Sequence, residues 1–384
     1  MEFDKMILNE DQQTAYETIL DFSASDDGRN LLTLGGYAGT GKTTLIGEVA
    51  QTLKAAGDNI AFCALSGKAS SVLQSKLKDV MDDNDFCGTI HKFMYNLVGR
   101  NKRSERARDE LIFEFNEDGD YNFDLIVVDE ASMINEKIFS DLKKLGIKIL
   151  AVGDHGQLPP VKGSFNLMQD PMIKLTKIVR QAEDNPIIRA SILAREEGKI
   201  PYGIIGDGRV KKIYGGARDI HNHDFNSLDS IVLCAKNKTR CRLNAFAREG
   251  RPAGRPVNGE PVICLMNDYK HYVFNGEIGV VKSVEFDIEN DGINVVDMAI
   301  GFGDFAICVR ALLDQFGREY TLADLRDRFA LYDWAYAITV HKAQGSEWRN
   351  VILYEERMGL SSDDWRRWLY TGVTRAKERL TIIS

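Results

Sequence analysis

The first half of the chain alternates short, unbroken apolar runs with longer stretches in which apolar residues recur every three or four positions. Leu31 to Leu34, Ile60 to Leu65, Leu125 to Val128 and Ile147 to Val152 are runs with little polar alternation. Strands buried on both faces read this way, because helices cover each side of a parallel sheet. The intervening stretches have helical length, so the pattern predicts βαβ units and a parallel sheet whose carboxyl edge carries the site. A second βα-like region begins near Asn185, where Pro186 suits the first turn of a helix. It continues through Ile231 to Ala235 and a helix near residues 237–249.

Two segments interrupt this pattern. Residues 92–124 hold a basic stretch, Arg100 to Arg108, then the aromatic segments Leu111-Ile-Phe113-Glu-Phe115 and Tyr121-Asn-Phe123, with Asp118-Gly119 as a hairpin signal. Residues 257–330 read as short β pieces at Pro261 to Leu265, Ile278 to Val284, Val295 to Ile300 and Phe305 to Val309. Turn signals stand at Asn275-Gly276 and Asp291-Gly292, and a small β-rich insertion is expected. Trp334 to Val340 and Val351 to Tyr354 return to the parallel-strand pattern.

At 384 residues, 44% hydrophobic and 28% charged, the chain has the composition of an ordinary folded protein of two or three domains. Its net charge of −8 argues against a protein that coats nucleic acid by bulk charge. Positive charge is local instead: residues 236–256 hold seven basic and one acidic residue, and residues 100–108 five and one. No apolar run approaches the roughly 18 residues that span a bilayer, and the first residues lack the order of a secretory signal, so a soluble intracellular protein is expected. Cys63, Cys234, Cys264 and Cys308 lie in apolar runs without zinc or redox spacing, and are read as reduced core residues. His221 and His223 sit beside Asp224 without further ligand candidates, as in a solvated loop.

The segment Gly36-Tyr-Ala38-Gly39-Thr40-Gly41-Lys42-Thr43, followed by Thr44, stands between a predicted strand and a predicted helix. That is the context a phosphate loop requires. Its backbone amides suit the phosphates of ATP at a helix N-terminus, Lys42 reaches the β and γ oxygens, and the Thr43 hydroxyl suits Mg²⁺. Asp129 and Glu130 end the strand Leu125 to Val128. Asp129 is placed to hold Mg²⁺ and Glu130 to orient and deprotonate the attacking water. Gly153-Asp-His-Gly-Gln157-Leu-Pro-Pro160 follows the next strand, and its two prolines forbid helix interior and central strand. Gln157 suits a hydrogen bond to the γ-phosphate or its attacking water.

These segments, with Leu8 to Gln12, Leu65-Ser-Gly-Lys68-Ala, Thr89-Ile-His91, Arg180-Gln181, Thr339-Val-His-Lys-Ala-Gln-Gly345 and Tyr370-Thr-Gly-Val-Thr-Arg375-Ala376, resemble the superfamily 1 DNA helicases of the RecD/Dda type, and among them the compact phage members. The resemblance implies an α/β fold of two RecA-like domains with ATP between them and single-stranded DNA across both. It divides the chain into residues 1–91 and 125–183 as the first domain and 184–256 and 331–384 as the second. Residues 92–124 take the place of a strand-separating pin, and 257–330 that of an SH3-like insertion. Gln12 matches the adenine-reading glutamine, although Asn9 and Gln12 also have the spacing of a helix capping box. Arg180 and Arg375 match the arginines that reach the γ-phosphate. Gln344 and Glu347 match further nucleotide contacts, and Lys68, Thr89, His91, Thr339 and His341 match contacts to the DNA strand.

The implied activity is an ATP-dependent, 5′ to 3′ translocase that separates forked duplex. It is expected to act as a monomer in the cytoplasm, a host's if phage-encoded, with replication or recombination proteins as partners. A translocase that displaces proteins without unwinding, and a phosphate-loop kinase, are the alternatives.

Overall fold

The structure is a computed structural model. It describes the chain apart from residues 1–7, 66, 102–109, 117–118, 160–164, 180–183, 221–228, 269, 272, 290, 304 and 358, and apart from the side chains of 68, 97–101 and 110–113. The described residues fall into two compact units. The first lies within Met1–Asn96, Glu114–Glu196 and Arg366–Thr371, the second within Leu97–Phe113, Glu197–Trp365 and Gly372–Ser384.

The first eight strands are β1 (Leu31–Gly36), β2 (Ile60–Ala64), β3 (Phe86–Thr89), β4 (Tyr95–Asn101), β5 (Glu110–Phe115), β6 (Leu125–Val128), β7 (Lys148–Gly153) and β8 (Ile173–Leu175). Six of them form one sheet in the order β3-β2-β6-β7-β1-β8, with parallel pairing throughout. Successive side chains of a strand point to opposite faces, and here both faces are dry. Leu125, Val127, Leu150 and Val152 face one core with α1 (Glu10–Ala24) and α2 (Lys42–Ala56), through Ala15, Ile19, Leu45, Val49 and Leu53. Ile126, Val128, Ile149 and Ala151 face the other, with Ile90, Phe93 and Met94 of α4 (Ile90–Met94) and Ile138 and Leu142 of α5 (Glu136–Lys144). The helix α3 (Gly67–Leu77) follows β2, and α6 (Pro186–Glu196) starts on the proline expected at its first turn.

The excursion at 92–124 differs from its sequence signal. Its hairpin pairs β4 with β5 as a two-stranded sheet, joined through residues 102–109, which lie outside the described residues. Asp118 of the Asp118-Gly119 signal lies outside the described residues, and the Gly119 N–H donates to the Asn116 carbonyl after the end of β5. Of the four aromatics in this segment, Tyr121 and Phe123 pack edge-on against Phe93, at 5.3 and 5.6 Å between centroids, and Phe115 packs against Tyr95 at 6.3 Å. These three serve packing, and the Phe113 side chain is outside the described residues.

In the second unit, β9 (Gly203–Ile205), β10 (Val210–Ile213) and β11 (Ser230–Cys234) precede α7 (Asn237–Ala247) and four strands of the segment expected as an insertion: β12 (Pro261–Cys264), β13 (Ile278–Ile288), β14 (Asn294–Phe302) and β15 (Phe305–Leu312). Then come β16 (Tyr332–Trp334), β17 (Ala337–Thr339), β18 (Trp348–Tyr354), α8 (Ser362–Val373) and β19 (Ala376–Ile383). One sheet runs β17-β11-β18-β19-β10-β9, parallel except for the β10–β9 pair. The other is antiparallel, β15-β14-β13-β12-β16.

The apolar run Trp334 to Val340, expected as one parallel strand, therefore divides between the two sheets. The fully buried Asp333 explains the division, since it accepts from the Gly317 and Trp334 N–H groups and pairs with Arg240, which pins β16 in the insertion sheet. Asn244 bridges the crossing by donating to the Trp334 and Ala337 carbonyls and accepting from the Ala337 N–H. Both sheets share one apolar core.

Two readings of single residues change. Cys63, Cys234 and Cys264 are buried, but Cys308 is exposed, because it alternates with the buried Ile307 and Val309 along β15. The basic run 236–256 is also less positive at the surface than its count implies. Arg240 is buried against Asp333, and Arg248 and Arg251 both pair with the buried Glu260. His221, His223 and most of the 100–108 run lie outside the described residues.

Candidate functional site

Three neighbouring strands of the first sheet deliver the expected chemistry to one edge. In the order β6-β7-β1 the register aligns Val128 with Ala151 and Gly153 with Gly35. The segments after Val128, Gly153 and Gly36 therefore leave adjacent carboxyl ends, where open α/β sheets bind ligands.

The phosphate loop joins β1 to α2. Its turn is closed by Thr40, whose N–H and hydroxyl both donate to the Tyr37 carbonyl, at 3.3 and 2.8 Å. Gly41 caps α2 at φ 78°, a left-handed conformation that side chains resist, and a Cβ there would also meet Gln12 Nε2 at 2.5 Å. Lys42 Nζ donates to the Gly36 and Tyr37 carbonyls, at 2.7 and 3.2 Å, so its ammonium lies over the loop. Ala38 and Gly39 lie in the loop, and Thr43 and Thr44 fall in the first turn of α2. Gln12 completes the capping box with Asn9, and its Nε2 donates to the Thr40 carbonyl at 3.0 Å. The helix start is thereby tied to the loop.

Asp129 and Glu130 follow β6. Burial pushes the Asp129 carboxyl above its ordinary range, against the Glu130 N–H, which donates to Oδ1 at 2.9 Å, and the charges of Lys42 and Lys76. A buried carboxylate whose charge is disfavoured gains from a neighbouring cation, so the chemistry of Asp129 fits a divalent ion. Glu130 has φ 54° and ψ 37°, and among the described residues it is the one non-glycine with positive φ. Strain of this kind concentrates at functional sites.

Gln157 follows β7 and is buried, at 6% exposure. Its Nε2 donates to Asp154 Oδ2 at 3.2 Å, which settles the orientation of the amide because a carboxylate only accepts. Oε1 has no hydrogen-bond partner among the described residues. Oε1 can accept a water O–H and the second N–H of Nε2 can donate to a phosphate oxygen, so both openings for Gln157 stand. Arg180 lies outside the described residues, but Val179 before it donates its N–H to the Gly39 carbonyl at 2.9 Å.

Other expected contacts are placed as follows. Thr89 is buried and caps α4, accepting the Lys92 N–H at 3.2 Å while keeping its own O–H to donate. The ring of His91 stacks on Tyr95, 5.6 Å between centroids, and burial holds its pKa below the ordinary imidazole value. The side chain of Lys68, in α3, is outside the described residues. In the second unit Thr339 ends β17 and His341 follows in a 3₁₀ turn, its pKa also lowered by burial. Gln344 is buried, while Glu347 is an exposed partner of Lys377. Arg375 is 3% exposed and donates to the Ser346 carbonyl and Thr374 Oγ1.

Asp154, Arg367 and Tyr370 had no assigned role in the sequence, although Asp154 and Tyr370 stand in two of its quoted motifs. Within the first unit, Arg367 donates to the His155 and Gln157 carbonyls, and Leu158 N–H donates to Thr371 Oγ1. Residues 366–371 thus brace the Gln157 loop.

Comparison with known proteins agrees with this arrangement. Residues 7–212, over half of the chain, match the family model described as an AAA domain, and residues 334–383 match the UvrD-like helicase C-terminal domain. The chain is 30% identical to the ATP-dependent RecD2 DNA helicase of Deinococcus radiodurans, over 92% of this chain and 46% of that protein. It is 25% identical to the RecBCD enzyme subunit RecD of Buchnera aphidicola, over 92% of this chain and 70% of that one. The chain thus spans about half the length of the first of these relatives. Among solved structures, the fold is similar to Pif1 helicase at forked DNA, with TM-score 0.55, 20% identity and coverage of 98% and 92% of the two chains. It is similar also to Pif1 helicase from Bacteroides in complex with ADP-AlF3 and single-stranded DNA, with TM-score 0.53, 19% identity and the same coverage. With its phosphate loop and the match over residues 7–212, the chain belongs to the AAA domain family, and its residues 334–383 are similar to the UvrD-like helicase C-terminal domain.

Proposed function

We propose that this chain hydrolyses ATP to move along single-stranded DNA, 5′ to 3′, and to separate forked duplex. The observation that carries the reading is the delivery of Lys42, Asp129 with Glu130, and Gln157 to the ends of three adjacent strands. The relative named as a DNA helicase supports DNA as the track, and the direction is the one the resemblance to the RecD/Dda type implies.

In this reading the loop amides from Gly39 to Thr44 and the ammonium of Lys42 hold the phosphates, with Gly36 and Ala38 shaping the turn around them and Gln12 on the base. Mg²⁺, when held by Thr43 and Asp129, shields charge on the phosphate oxygens. Glu130 takes the proton of the attacking water, and Gln157 Oε1 accepts its second O–H and fixes the line of attack. Arg180 and Arg375 stabilise charge on the γ-phosphate, and Gln344 and Glu347 add nucleotide contacts. Thr89, His91, Thr339 and His341, with Lys68, hold the strand. Because burial keeps both imidazoles neutral, their contacts to phosphate carry little counterion cost and release readily.

The test uses forked duplexes carrying one single-stranded tail of each polarity. The wild-type protein is expected to unwind the 5′-tailed substrate with ATP, and Lys42→Ala to lose DNA-stimulated hydrolysis while retaining DNA binding. Hydrolysis indifferent to single-stranded DNA overturns the reading. Stimulated hydrolysis without strand separation leaves translocation and removes unwinding.

A further inference from the structure

Tyr370 belongs to the first unit, is fully buried, and uses its hydroxyl twice. Oη accepts the Ala38 N–H of the phosphate loop at 2.7 Å and donates to Asp154 Oδ2 at 2.7 Å. Asp154 is 2% exposed and accepts from three donors. Tyr370 and Gln157 Nε2 share Oδ2, and the Gly156 N–H takes Oδ1 at 2.9 Å. A continuous hydrogen-bond path therefore runs from the phosphate-loop backbone through a phenol and a carboxylate to the amide of Gln157. The phenol is held neutral, since burial and the adjacent Asp154 push its pKa far up, and it remains a donor throughout the physiological range.

The surroundings keep this path in place. Tyr37, beside Ala38, packs on His155 at 4.3 Å between centroids, lies under the Arg195 guanidinium at 3.8 Å and meets Tyr370 edge-on at 6.0 Å. We propose that Tyr370 is a positioning residue for ATP hydrolysis: through Asp154 it orients the Gln157 amide, and through Ala38 it couples that orientation to the shape of the phosphate loop. Without the hydroxyl, Asp154 loses one of the donors that fix its rotamer, and the Gln157 amide loses the fixed acceptor that sets the direction of Oε1. The same change leaves the Ala38 N–H without its partner. Nucleotide binding, which uses the other loop amides and Lys42, is untouched.

The inference rests on the hydrolysis proposed above, and the test separates the two. Steady-state ATP hydrolysis at saturating single-stranded DNA is measured for wild type, Tyr370→Phe, Asp154→Asn, Gln157→Ala and the double variant Tyr370→Phe with Gln157→Ala. Tyr370→Phe keeps the ring and is expected to lower kcat about tenfold, equivalent to about 1.4 kcal/mol, with KM for ATP within about twofold. Asp154→Asn is expected to do the same. In the Gln157→Ala background the loss of the hydroxyl is expected to add less than about twofold, because the group it positions is gone. Amide hydrogen exchange at Ala38, read without nucleotide, is expected to speed up in Tyr370→Phe. A kcat within twofold of wild type, a raised KM at unchanged kcat, or a full tenfold loss retained in the double variant each overturns the proposal. A wild-type protein without DNA-stimulated hydrolysis overturns instead the reading on which it rests.

Discussion

Glu130 makes a testable link between strain and chemistry. Its backbone is left-handed, which costs an L-residue with a Cβ about 1–2 kcal/mol. Two backbone hydrogen bonds hold it there, from its own N–H to Asp129 Oδ1 at 2.9 Å and from the Met133 N–H to its carbonyl at 3.1 Å. Neither depends on the side chain, so substitution leaves the turn in place. Glu130→Ala retains the steric cost, whereas Glu130→Gly removes it and gives back about 0.5–1 kcal/mol as unfolded-chain entropy. The glycine variant is thus expected to be more stable than the alanine variant by roughly 0.5–1 kcal/mol, about 1–4 °C in Tm for a unit of this size. Glu130→Gln keeps shape and strain and removes the charge. Its stability is expected to match wild type within about 0.5 kcal/mol, while kcat for DNA-stimulated hydrolysis falls by about two to four orders of magnitude. Denaturant unfolding of the three variants and a steady-state hydrolysis assay measure both effects. A glycine variant no more stable than the alanine variant would refute the strain argument, and near wild-type hydrolysis by Glu130→Gln would refute the assignment of the base.

Two further predictions concern the fold that supports the site. Glu260 is 1% exposed and accepts from Arg248 at 2.6 and 3.3 Å, Arg251 at 3.1 Å, the Val257 N–H at 2.8 Å and Tyr336 Oη at 3.2 Å. Glu260→Ala leaves the Arg248 charge buried without its partner and is expected to cost about 3–5 kcal/mol in urea unfolding of the second unit; a loss under about 1 kcal/mol would contradict this. His91, His155 and His341 all have pKa values lowered by burial, so the unfolded chain binds protons more readily than the folded one. Their stabilisation is fully present above the unfolded imidazole value of about 6.5 and is lost as pH falls from there through the lower folded values, so denaturation midpoints are expected to drop between pH 7.5 and 5.5. Equal midpoints at the two values would show that these rings titrate as if exposed.

The sequence by itself determined the parts of this protein that depend on neighbours in the chain. Short apolar runs marked strands covered on both faces, the spacing of Gly36 to Thr43 marked a phosphate loop between a strand and a helix, and Asn9 with Gln12 marked a helix start. Each is set by periodicity, backbone conformation or a local hydrogen bond, and these act over a few residues. What only the tertiary structure decided involves groups far apart in sequence. Asp154 and Tyr370 share a hydrogen bond across 216 positions, and neither shows in isolation which partner it meets. Arg240 and Arg248 read as part of a solvated basic run until packing buries them against Asp333 and Glu260. Trp334 to Val340 is uniformly apolar, so its pattern does not reveal that one end pairs with β12 and the other with β11. The physical reason is the same in each case. Hydrophobicity records that a residue leaves water, while the identity of its partner is chosen by strand register and by which buried donors and acceptors must satisfy one another.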